Sequence, residues 1–264
     1  MNIAIVGAMG LVGSQLVSLA KSRGHEVIAL DIVTGTDVIA PEGLEALAGA
    51  EAMVDVTQSP SLSEEDATAF FTRAAENLGK AATEARVQRS VVLSIISVDK
   101  FAAAETEPGT GFDGYYRAKF AQEQATLAFA PGPHVVRSSQ FHDIARQAIG
   151  WGRDGDRSTV SDLTIQPVAV SAMVEVLLAA ATGATGATGA VDAEVTEVAG
   201  PQLEQLADLS TRYAAHVGDP VSIVAAPVGE AVRHGILLPG SQARLVGPSF
   251  AEWLTSVPVP SAQV

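Results

Sequence analysis

The sequence predicts an α/β fold built as a doubly wound parallel sheet with a small C-terminal α/β lobe. Three observations carry that expectation. Short apolar runs alternate with segments of helical periodicity through the first half of the chain, the pattern of a parallel sheet covered by helices on both faces. The first run, Asn2-Ile3-Ala4-Ile5-Val6, ends at a glycine turn that opens a helix. The 264 residues are 47% hydrophobic, enough to bury one sizeable core.

The elements follow in order. After the strand at 2–6, Leu11, Leu16, Leu19 and Ala20 recur at helical spacing up to a stop at Gly24. His25–Leu30 reads as the second strand and Met53–Thr57 as the third, with a short helix over Pro41–Leu47 between them. From Ser63, the positions Ala67, Phe70, Phe71, Ala74, Ala75, Leu78, Ala82 and Ala85 trace one apolar stripe, and Ser63 with Asp66 resembles a capping pair. Ser90–Ile96 is a further strand, 114–129 a further helix, and His134–Arg137 a short strand after Pro131 and Pro133. Beyond residue 150 the regularity fades, apart from a helical pattern over Val170–Ala181 and a short amphipathic segment, Phe250–Leu254, expected to dock on apolar surface. The repeat Thr182-Gly-Ala-Thr-Gly-Ala-Thr-Gly189 reads as a loop tip.

Composition excludes several function classes. The formal charge of −14 repels phosphate backbones and anionic membrane surfaces. No cysteine is present for a disulfide, a thiolate metal site or a thiol nucleophile. The histidines at 25, 134, 142, 216 and 234 are scattered, and no metal site is expected. No Gly-x-Ser-x-Gly elbow is present. No apolar run reaches the ~18 residues of a spanning helix, and the chain starts on its first strand without a basic leader. A cytoplasmic protein with a small-molecule substrate, and with neither nucleic acid nor membrane as partner, is expected.

The turn Gly7-Ala8-Met9-Gly10-Leu11-Val12-Gly13 follows a buried strand and opens a helix, which places backbone N–H groups and a helix N-terminus against a pyrophosphate. This is the Rossmann-type arrangement, and it predicts a bound dinucleotide. Asp31, followed by Ile32, stands at the end of the second strand, where a carboxylate accepts hydrogen bonds from the adenosine ribose and repels a 2′-phosphate. Neither Arg nor Lys lies between Asp31 and Glu42, so NAD(H) is favoured over NADP(H). Asp37 and Val38 are candidates for the adenine edge, and Thr57, Gln58 and Ser59 follow the third strand at its carboxyl end.

Tyr115 and Lys119 are one helical turn apart on one face. A tyrosine becomes a useful proton donor and acceptor if a nearby ammonium stabilises its phenolate; a solvated pair of Lys119 with Glu123 is the plainer alternative. His142 is expected to be ordinary polar surface.

Taken together, the glycine loop, Gly43–Thr57, Leu93-Ser94-Ile95, Tyr115–Glu123, Val136–Phe141 and Gln166–Val170 resemble the NmrA-like branch of the atypical short-chain dehydrogenase/reductase superfamily, over almost the whole chain. The resemblance implies a dinucleotide-binding core over residues 1–150, joined by some later segments, and a mainly substrate-side lobe over 151–264. It implies hydride transfer from the cofactor, with Lys119 holding the nicotinamide ribose. A strand serine meets the substrate oxygen, Ser94 before Ser97. Ser138, Ser139 and Phe141 then lie beside the nicotinamide. Met9 stands where that family commonly has threonine. The expected activity is NAD(P)H-dependent reduction of a small carbonyl, quinone or dye-like acceptor. A non-catalytic dinucleotide sensor with a protein partner ranks second, and a nucleotide-sugar epimerase third.

Overall fold

The computed structural model describes residues 1–105, 107, 109–184 and 194–259. In chain order the helices and strands are β1 (Asn2–Val6), α1 (Leu11–Ser22), β2 (Glu26–Leu30), β3 (Ala52–Asp55), α2 (Glu64–Glu84), β4 (Arg89–Ile95), α3 (Val98–Ala103), α4 (Asp113–Phe129), β5 (Pro133–Ser138), α5 (Ile144–Trp151), β6 (Arg153–Asp154), β7 (Arg157–Ser161), β8 (Thr164–Ile165), α6 (Val170–Thr182), β9 (Val195–Ala199), β10 (Glu204–Gln205), α7 (Leu206–Val217), β11 (Ser222–Ala226), α8 (Glu230–Arg233), β12 (Arg244–Leu245) and α9 (Phe250–Leu254).

Seven strands form one parallel sheet in the order β12-β9-β5-β4-β3-β1-β2. The alternation of strand side chains explains the two-sided core. Ile3 and Ile5 of β1 join Leu16 of α1 and Met173 and Leu177 of α6 on one face. Ala4 and Val6 pack with Leu78 and Ala82 of α2 on the other. The connection reverses at β1, with β2 on one side and β3 on the other. Such a switch point opens a crevice at the carboxyl ends of the strands.

The long helix starts as its cap predicts: the Ser63 hydroxyl accepts from Asp66 N at 3.2 Å. Several boundaries shift by a residue or so, and two differ from the sequence expectation for a clear local reason. β3 stops at Asp55, because the Asp55 carboxylate accepts from Thr57 N at 2.9 Å and turns the chain two residues early. The helix expected over Pro41–Leu47 is only a 3₁₀ turn at Leu44–Leu47, since Gly43 ahead of it sits in the left-handed region at φ 73°.

After residue 150 the chain serves two purposes. α6, β9 and β12 belong to the large sheet and its cover. The β6–β7 hairpin, β11 beside β7, and the β8–β10 pair assemble with α5, α7 and α9 around Ala145, Ile165, Leu209 and Phe250. Phe250 of α9 is buried there, behind a capping box of Ser249 and Glu252. The Thr182–Gly189 repeat falls largely outside the described residues. No described helix is long and apolar enough to cross a membrane.

Candidate active site

A cleft of about 720 Å³ runs from the glycine loop across the ends of β3, β4 and β5 to the C-terminal cluster. Its floor is set by strand ends. β1 delivers the glycine turn, β3 delivers Thr57 and Gln58, β4 delivers Ser94, and β5 delivers Ser138 and Ser139.

The glycine loop has the geometry of a phosphate cradle. Gly7 adopts φ +83° against the Val56 carbonyl. A Cβ on Gly13 would sit 2.0 Å from the Gly7 carbonyl oxygen, so only glycine allows α1 to pack this close to β1. Gly10 is different: a Cβ there would meet only the Gly7 oxygen, at 3.4 Å, and the residue faces the cleft. No side chain caps the α1 N-terminus and no acidic residue occupies its first turn, which leaves its N–H groups for an anion. The cradle therefore fits a pyrophosphate.

Asp31 lies beside this loop. Its carboxylate accepts from Met9 N at 3.0 Å and from Val33 N at 3.2 Å, the second bond capping the turn that Ile32 begins. Met9, Ile32 and Val33 are exposed around it. Leu11, Val12 and Phe141 also line the cleft; Gly7, Met9, Gly13, Asp31 and Ile32 lie outside its lining, as do Asp37, Val38 and Ser59. Val38 is buried in the core with Leu30 and Leu44. Asp37 turns its carboxylate onto Ile39 N and Ala40 N of its own turn. Ser59 is buried and accepts from Ser61 N.

Tyr115 enters the cleft from α4, packed edge-on to Phe71 with ring centroids 5.7 Å apart. Its hydroxyl receives the Gln58 amide at 2.5 Å. Burial pushes its pKa well above the ordinary value, with Gln58 pulling in the opposite direction. The neighbouring Tyr116 stacks on Phe101 at 4.2 Å and is itself pushed up to about 12 by burial. Ser94 is 2% exposed, lines the cleft, and has a buried hydroxyl with no hydrogen-bond partner among the described residues. Thr57 Oγ1 is orphaned in the same way. Ser97 is placed elsewhere: β4 ends at Ile95, and Ser97, at φ 66°, starts α3 with its hydroxyl 3.3 Å from Lys100 Nζ.

Lys119 lines the cleft, with its ammonium held by neighbouring groups of the protein. Its ammonium donates to the Leu93 carbonyl at 2.8 Å and to Gln122 Oε1, and lies 4.6 Å from the centre of the Phe71 ring. Gln122 in turn donates to Asp55 at 3.0 Å. The plainer alternative, a solvated pair with Glu123, does not form, because both residues are buried and Glu123 receives Arg137 through two bonds of 2.9 and 2.8 Å. Burial lowers the Lys119 pKa to about 8, against the pull of Asp55 and Glu123.

His142 is not surface. It is 1% exposed between Phe250 and Trp253, with Nε2 3.2 Å from the Pro248 carbonyl, and burial lowers its pKa. It lies outside the cleft lining. Sequence reasoning missed one wall of the cleft, where Phe112 and Trp151 pack together with ring centroids 5.3 Å apart. Trp151 ends an ordinary amphipathic helix, α5, and only its exposure of 59% marks it.

No family model matches the chain. It is 30% identical over 210 residues to the dTDP-4-dehydrorhamnose reductase of Mycobacterium tuberculosis, covering 68% of this chain and 66% of that protein. The chain thus spans just under two thirds of the length of the curated relatives it matches. Among solved structures, MoeE5 in complex with UDP-glucose and NAD superposes with a TM-score of 0.71 at 18% identity, over 97% of each chain. The dTDP-4-dehydrorhamnose reductase of Clostridium acetobutylicum gives 0.66 at 18% identity over 97% of this chain and 93% of that one. That of Bacillus anthracis in complex with NADP gives 0.68 at 15%, over 96% of each. The narrower NmrA-like placement receives no support from these proteins.

Proposed function

We propose that the chain is an enzyme of the short-chain dehydrogenase/reductase type, and that it is an NAD(H)-dependent reductase of an uncharged carbonyl compound. The observation that carries this reading is Tyr115 and the orphaned Ser94 hydroxyl in one cleft with a glycine cradle at its far end. A bound nicotinamide dinucleotide supplies a hydride to the carbonyl carbon. Ser94 donates a hydrogen bond to the carbonyl oxygen. Tyr115 gives that oxygen its proton: the Oη–H bond breaks, the alcohol O–H forms, and solvent reprotonates the phenolate. Gly10, Leu11 and Val12 hold the pyrophosphate, and Asp31 the adenosine ribose, which favours NAD(H) over NADP(H) by repulsion of a 2′-phosphate. Thr57, Ser138, Ser139 and Phe141 face the nicotinamide end.

The acceptor is read as uncharged because the described cleft lining contains one ionisable cation, Lys119, and its ammonium is already bound to Leu93 and Gln122. A diphosphate would meet no free guanidinium or ammonium there. The relatives favour a second reading, reduction or epimerisation of a nucleotide sugar. Titration with NADH and NADPH, followed by turnover assays on neutral ketones and aldehydes and on a dTDP-4-keto sugar, separates the two. Turnover of neutral carbonyls alone supports the first reading, turnover of the nucleotide sugar alone supports the second, and failure to bind any dinucleotide refutes both. Within the first reading, Tyr115→Phe lowers turnover on the order of 10²–10⁴-fold with dinucleotide affinity nearly intact.

A further inference from the structure

We infer that the part of the cleft beyond Tyr115 is a site for an aromatic ring, and that the acceptor is an uncharged aryl carbonyl compound whose ring stacks on Trp151. Trp151 is then a specificity-determining residue. The inference deepens the reading of the protein as a carbonyl reductase and rests on that reading for the carbonyl group.

Trp151, the last residue of α5, is 59% exposed and lines the cleft. Its indole meets Phe112 with ring centroids 5.3 Å apart and planes tilted by 48°, a contact that leaves much of the indole uncovered. Phe112 in turn packs, together with Ile95, against the cluster that holds Tyr115. A path of rings thus leads outward from Tyr115 through Phe112 to Trp151. Ser94 stands next to Ile95 on the floor of the cleft, with a buried hydroxyl that has no partner among the described residues. A carbonyl oxygen that receives the Ser94 hydroxyl has its substituent directed along Ile95 and Phe112 toward Trp151.

The surroundings select against charge and for a hydrocarbon body. Ile95, Phe112 and Leu163 pack against the cluster of Tyr116 and Leu237, and all five line the cleft. Among the described lining residues no Asp, Glu, Arg or His is present, and the ammonium of Lys119 is held by Leu93 and Gln122. Such a surface gains by burying apolar area. The indole adds a preference of its own, because an aromatic ligand meets it edge-on or offset through complementary quadrupoles. A saturated ring of equal size buries similar area without that gain. A diphosphate brings charges that nothing in the described lining compensates.

The test titrates the free, isotopically labelled protein with acetophenone and follows the indole N–H resonances of its two tryptophans. That of Trp151 is assigned by its loss in Trp151→Phe, and Trp253 lies outside the cleft lining. Acetophenone moves the Trp151 resonance and leaves that of Trp253 in place. Cyclohexyl methyl ketone, of similar size, binds roughly fivefold more weakly, and dTDP does not move the Trp151 resonance. Trp151→Ala, at an exposed helix end, folds as the wild type does and binds acetophenone about tenfold more weakly, whereas Trp151→Phe stays within about threefold; both are read from the ligand's own resonances. An unmoved Trp151 resonance overturns the inference, as does equal affinity for the saturated ketone, a Trp151 shift with dTDP, or unchanged affinity in Trp151→Ala. Neither dinucleotide nor turnover enters this measurement. Failure to bind dinucleotide would overturn the proposed function and leave the Trp151 site standing, whereas an unmoved Trp151 beside normal carbonyl turnover would overturn the site alone.

Discussion

Lys119 donates its ammonium to the carbonyl oxygen of Leu93 at 2.8 Å, which ties α4 to β4 one residue before Ser94. The lysine of the Tyr115/Lys119 spacing is therefore a strut between the two elements that carry the candidate proton donor and the candidate carbonyl ligand. Its burial has a consequence for stability. The folded-state pKa, about 8, lies below the ordinary 10.5, so the unfolded chain binds the extra proton between those values. Stability contributed by this group rises with pH across that window and is lower by a constant amount below it. The unfolding free energy of the wild type minus that of Lys119→Met, from urea titrations at pH 7 to 10, climbs by on the order of 3 kcal/mol. A flat difference would show that Lys119 is not desolvated.

Arg137 and Glu123 form a paired charge beneath the site, with Asp99 at 3.1 Å as a third member. Removing one partner of a buried pair strands the other. Arg137→Met is expected to cost about 3–5 kcal/mol in denaturant unfolding, far more than Arg73→Met at an exposed ion pair on α2, expected to cost under ~1 kcal/mol. Equal costs would place Arg137 in effective contact with solvent.

Asp31→Ala removes the acceptor for Met9 N and, on the proposed reading, the charge that would repel a 2′-phosphate. NADPH affinity improves about tenfold relative to NADH, since ~1.4 kcal/mol of lost repulsion corresponds to that factor. Calorimetric titration with both cofactors reads the ratio, and an unchanged ratio removes Asp31 from cofactor discrimination.

Two glycines of the same loop separate packing from ligand approach. Gly13→Ala forces a Cβ to 2.0 Å from a backbone oxygen and lowers the melting temperature or abolishes soluble folding. Gly10→Ala meets nothing closer than 3.4 Å and leaves the melting temperature within a few degrees while weakening dinucleotide binding. Binding by Gly10→Ala at wild-type strength would place the pyrophosphate elsewhere.

By itself the sequence determined the architecture of the first half of the chain, because strands buried on both faces and helices buried on one leave periodicities that local reading detects. β1, α1, α2 and α4 are visible in this way, as is the glycine turn, whose spacing states a steric requirement at Gly13. Tertiary structure alone decided where polar side chains point. Spacing put Lys119 on the face of Tyr115, but the carbonyl of Leu93 and the network of Gln122 and Asp55 gave its ammonium a better-satisfied home. Val38 and His142 went into apolar packing for the same kind of reason, and Trp151 became a cleft wall through its position against Phe112. Hydrogen-bond satisfaction in a buried site depends on groups far apart in the chain, and 57 residues separate Gln58 from Tyr115.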